Sequence, residues 1–93
     1  LLATIDARVE RSQVETARRK AEAIGALKVA EAKLAGASAK ADRNSSLYED
    51  NFVSAQAKDD AEADRHTAEA ELQAARENVD IAQAEYTEAQ EEV

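Results

Sequence analysis

The stretch "AEAELQAARENVDIAQAEYTEAQEEV", residues 68–93, decides the fold. Ala68, Leu72, Ala75, Val79, Ala82, Tyr86, Ala89 and Val93 recur at alternating spacings of four and three, with Glu, Gln, Asp and Arg between them. A seam with that mean period of 3.5 faces one side of a helix only if the helix supercoils against a partner, so this half of the chain is a coiled-coil helix. Tyr86 then belongs to the seam. The partner is sought in the first half, where Val14, Ala17, Ala21 and Ile24 make one seam and Leu27, Ala30, Leu34, Ala37 and Ala41 another. The two join near Gly25 one residue short, which predicts a local stammer in the supercoil. Gly25 and Gly36 each cost a helix about 1 kcal/mol relative to alanine, and they are read as points of close helix approach rather than as loops.

These patterns predict an all-α fold, a long antiparallel two-helix coiled-coil hairpin forming a single domain over residues 1–93. The first helix is expected from about residue 6 to Asn44, a tip over 45–53, and the second helix from about Ser54 to the end. A connection that short makes the two helices antiparallel neighbours. Ser54 precedes "AQAKDDAEAD", so its hydroxyl can cap the second helix, and Asp59 and Asp60 lie near the positive helix end.

Composition agrees. The chain has two glycines, no proline, no cysteine and 3% aromatic residues, and alanine supplies most of its apolar fraction. Such seams bury little area per residue, and stability must come from helix propensity, length and partners. The absence of cysteine removes disulfides and thiolate metal sites and is compatible with any compartment. "LLATI" is far short of the roughly 20 apolar residues that span a bilayer. With no initiator methionine and no signal peptide, the chain is expected to be a segment excised from a larger protein.

The net charge of −8 argues against a nucleic-acid surface, which needs clustered bases. Residues 1–43 hold nine Lys/Arg against six acids and residues 44–93 three against fourteen, so the halves carry +3 and −11. A basic arm folded on an acidic one is electrostatically complementary along its length. The alternative is two solvated faces, since exposed pairs contribute little. Catalysis needs convergent groups in a pocket that excludes water, which a two-helix rod lacks, so no enzyme and no cofactor are expected. The only histidine, His66, has Glu62 and Ala70 one turn away and reads as a solvated surface residue, not a metal ligand.

Between the arms, "RNSSLYEDNFVSAQAKDD" (43–60) gathers Leu47, Tyr48, Phe52 and Val53 among polar residues. At the end of a narrow hairpin these side chains either plug the coiled coil or project toward another protein. Arg43, Leu47 four positions on and Ser54 seven after that, followed by Asp59 and Ala61, resemble the hairpin tip of periplasmic adaptor proteins, the membrane fusion proteins of the AcrA, MacA and HlyD type. "LLATID" is similar to the closing strand of the lipoyl half-motif that leads into the hairpin in that family. Ala57 departs from it, standing where the family often has an acid that completes a capping box.

The resemblance implies a periplasmic protein anchored at the inner membrane. It would be the bridge of a tripartite efflux or secretion system in a Gram-negative cell, linking an inner-membrane transporter of the ABC, RND or MFS class to a TolC-type outer-membrane channel. It further implies six hairpins in a tube, with Leu47 entering an apolar groove of the channel, Arg43 bonding to carbonyls or polar groups there, and Ser54 touching the channel while capping its own helix; Tyr48, Phe52 and Val53 complete the partner-binding set. Two other readings compete with it. A structural spacer coiled coil has no use for the Arg43, Leu47 and Ser54 arrangement, and an amphipathic membrane-surface helix would be basic on its polar face, unlike the acidic second arm.

Overall fold

The computed structural model describes residues 2–91, with side chains over 8–90. It contains two helices, α1 (Leu2–Glu49) and α2 (Ala55–Glu91), with no strand among the described residues. They form an antiparallel hairpin in which the chain divides into two units. One joins the α1 segment up to Leu27 to the α2 segment from Ala75; the other spans Lys28–Ala74 and includes the turn. No described helix is long and apolar enough to cross a membrane.

In the first unit, Gln13 Nε2 donates to the Ala89 carbonyl at 3.4 Å and Arg19 meets Glu85 at 3.7 Å. In the second, Lys33 meets Glu71 at 3.9 Å, Arg65 meets Asp42 at 3.8 Å, and Asn44 Nδ2 donates to the Ala57 carbonyl at 3.3 Å. Within each unit, rising numbers on α1 face falling numbers on α2. The basic-on-acidic complementarity is therefore present in two pairs, Arg19–Glu85 and Lys33–Glu71, while Arg65–Asp42 runs the other way; the side chains of those two pairs are about half exposed, where such pairs are worth little.

The seam of α2 is where the sequence places it and extends two turns further back. Ala61, Ala68, Leu72, Ala75, Ala82 and Ala89 are buried, Val79 and Tyr86 half-buried, and Arg65 also lies on the seam. Val93 lies outside the described residues.

The seam of α1 corrects the expectation. Val14 is 70% exposed, and Ala17 and Ala21 are exposed with it. The inward positions are instead Val9, Gln13, Thr16, Lys20, Ala23, Leu27, Ala30, Leu34, Ala37, Ala41 and Asn44. Their spacing alternates between four and three without a break, so there is no stammer at Gly25. Register continuity over eleven positions outweighs the local attraction of Val14 and its neighbours for the core, because a skip would overwind the helix. The price, in the first unit, is three polar residues, Gln13, Thr16 and Lys20, facing the partner helix. Nor do the glycines permit close approach: both are exposed, and a Cβ added at either meets nothing within 4 Å.

The helix limits differ as well. Residues 2–6 are helical, where a strand-like lead-in and a start near residue 6 were expected, because a lone strand has no partner for its backbone whereas a helix bonds to itself. The first helix also continues five residues past Asn44, because "NSSLYE" contains no helix breaker and Asn44 turns its amide to the other helix.

Alanines dominate the core, so the few larger side chains carry much of its burial. Leu72→Ala should destabilise the hairpin by about 2 kcal/mol or more, whereas Gly25→Ala and Gly36→Ala, in open space, should each stabilise it by about 1 kcal/mol. Urea or thermal unfolding followed by circular dichroism measures both, and a glycine replacement that destabilises would show that its site is packed.

Candidate docking tip

The reversal occupies five residues, Asp50 to Ser54, and both of its ends are capped. The Phe52 amide donates to the Leu47 carbonyl at 2.8 Å and the Asn51 amide to the Tyr48 carbonyl at 3.0 Å. This crossed pair of bonds is a Schellman motif, which satisfies carbonyls that the helix end would otherwise leave open. It needs a left-handed residue between its two bonds. Asn51 supplies it, with φ 64°, the only positive-φ non-glycine among the described residues. Asparagine tolerates that conformation better than any residue with a bulky or branched Cβ.

Ser54 then starts α2. Its Oγ accepts a hydrogen bond from the Ala57 amide at 3.1 Å, and its carbonyl accepts from the Lys58 amide at 3.2 Å. This is the N-cap the sequence predicts, formed without the second half of a capping box because Ala57 has no acceptor. The Asn44 bond to the Ala57 carbonyl ties the last full seam position of α1 to the same turn.

The six candidate partner-binding residues divide by exposure. Arg43 is exposed and has no ion pair among the described residues. Leu47, one turn later on the same helix face, is half-buried. Tyr48 is 40% exposed with Lys58 Nζ 4.9 Å from its ring centroid, a cation–π contact. Phe52 is 76% exposed and therefore does not plug the end of the hairpin, while Val53 is half-buried. Ser54 is exposed although its oxygen is engaged. The structure thus places Arg43, Tyr48, Phe52 and Ser54 on the outside of the reversal and draws Leu47 and Val53 partly in. Asn51 and Asn44 escaped the sequence reading, which sought a glycine or proline at the turn. An asparagine just beyond a helical run was the available signal.

The sequence profile of the alpha-helical hairpin domain of RND membrane fusion proteins matches residues 19–88. The chain belongs to this family. That match spans both units and the whole tip, and membrane fusion proteins are periplasmic adaptors. No curated protein and no solved structure matches the chain.

Asn51→Val should cost about 1–2 kcal/mol by forcing a branched residue into the left-handed region, and Asn51→Gly should keep or raise stability. Ser54→Ala should cost about 0.5–2 kcal/mol through loss of the cap. Denaturant midpoints of the three variants provide the test, with the order Gly at or above Asn, and Val below, as the expected result.

Proposed function

We propose that this hairpin is the docking arm of the adaptor in an RND-type tripartite efflux system, joining tip-first to a TolC-type outer-membrane channel. It works by binding, not catalysis. The observation that carries this reading is the exposed tip: a membrane fusion hairpin presents Phe52 at 76% exposure on a turn held by two caps, with the exposed Arg43 on the helix that leads into it. Tyrosine and arginine, here the exposed Tyr48 and Arg43, are enriched in protein-binding hot spots, and Phe52 adds a second exposed aromatic of a type enriched at interfaces.

Leu47 has part of its surface left for an apolar groove in the channel. Arg43 offers five donors in a planar fork to channel carbonyls or carboxylates. Ser54 has room for both of its roles, because its oxygen accepts from the Ala57 amide while its own O–H proton remains to donate to a partner. The link to the inner-membrane transporter belongs to domains outside this sequence, and the periplasm is the compartment where the two membranes' proteins meet. In the parent, six hairpins side by side would set the +3 and −11 halves of neighbouring copies against one another.

Ser54→Asp separates the cap from the contact. Aspartate caps at least as well as serine, so helicity should persist, yet it has no proton to donate and brings a charge into an interface that must desolvate it. Leu47→Ala should likewise weaken docking. Crosslinking of the full-length adaptor to the channel, with circular dichroism of each variant, is the measurement; docking that survives both substitutions would leave a structural spacer as the better reading.

A further inference from the structure

In the first unit, α1 carries two overlapping stripes. The one facing α2 is polar: Gln13, Thr16 and Lys20, then Ala23. The other, one residue further round, is Val14, Ala17, Ala21 and Ile24, of which the first three are exposed. A rotation of α1 by about 100° would exchange them. Burial of apolar surface alone favours the stripe that is outside.

Specific contacts hold the observed arrangement. Lys20 Nζ lies 4.6 Å from the Tyr86 ring centroid, and the Tyr86 hydroxyl accepts from Gln90 Nε2 at 3.0 Å, which orients the ring. Gln13 Nε2 reaches the Ala89 carbonyl. Thr16 spends its hydroxyl on the Ser12 and Gln13 carbonyls of its own helix and is neutral in the choice. Beside the seam lies an open groove of about 220 Å³, lined by Gln13, Val14, Thr16 and Ala17 on α1 and by Tyr86, Ala89 and Gln90 on α2. Both stripes therefore border one open space, and α1 can turn Val14 and Ala17 into it as Gln13 and Thr16 leave. Gly25, free of neighbours, sits where the alternative stripe would have to rejoin the Leu27 ladder one residue short.

We infer that Lys20 and Gln13 form a rotational lock on the first unit: their contacts with Tyr86 and the Ala89 carbonyl select the polar stripe of α1 over the Val14, Ala17, Ala21 and Ile24 stripe. The lock is independent of docking at the tip. Beside the half-exposed Arg19–Glu85 pair, which is worth little, it makes the azimuth of α1 in this unit depend on two polar side chains, and with it the choice between showing solvent an apolar row or a polar one.

The test uses single cysteine reporters in the 93-residue chain, Thr16→Cys and Ala23→Cys on the inward stripe and Ala17→Cys and Ala21→Cys on the outward one, labelled with a maleimide. With the lock intact, the cysteines at 17 and 21 label faster than those at 16 and 23. Gln13→Glu combined with Lys20→Glu removes the cation and puts acids against the carbonyl and the ring face, so the order of the rates should invert while helicity is retained. Lys20→Arg, which keeps a cation over the ring, should preserve the original order. An unchanged order in the double variant overturns the lock. Equal, fast labelling at all four sites also overturns it, since the unit would then have no second packing to adopt.

Discussion

The hairpin depends on a seam whose buried layers are mostly alanine. Every seventh residue of α2 from Ala61 to Ala89 is alanine and each of the five is buried; Ala41 of α1 has no exposed surface at all. A methyl group in each of these layers fills the small space between the helices. Most of the rest follows. Because alanine layers bury little area, large side chains are needed only intermittently, and the fold leans on helix propensity and on a turn that closes both ends.

The same economy lets polar residues enter the seam. Arg65 occupies a position where its neighbours in the repeat are Leu72 and Val79, and it is held by Glu62 on its own helix and Asp42 on the other. Its Nε is buried without an acceptor, so the guanidinium is only partly satisfied. An arginine so placed adds little net stability, but it matches one partner position and penalises others, which uniform alanine layers cannot do.

Legibility followed chemistry closely. The α2 seam could be read because its members are all apolar from Ala68 on. Its first turns were missed at Arg65, and the α1 seam was misread between residues 9 and 24, for one reason: hydrophobicity was taken as the mark of an inward position where Gln13, Thr16 and Lys20 in fact face the partner. The mark that held was spacing, since the 3–4 alternation leading back from Leu27 passes through these polar residues and never through Val14. At the tip, the Ser54 cap was visible because serine before a helical run has one dominant use. The αL role of Asn51 was not, because the turn was searched for glycine and proline, and the exposure of Phe52 depends on a helix end that the sequence leaves open across "NSSLYE".

The Schellman turn fixes more than the end of a helix. With its amide bonded to the Leu47 carbonyl and the preceding residue held at φ 64°, Phe52 has its Cα position set by backbone geometry and not by side-chain packing. Its ring is solvent-facing yet presented from a rigid mount. Whatever meets that ring needs to immobilise only its two side-chain torsions, while the loop itself is already ordered, so the entropic cost of recognition is met at the folding of the hairpin instead of at the encounter.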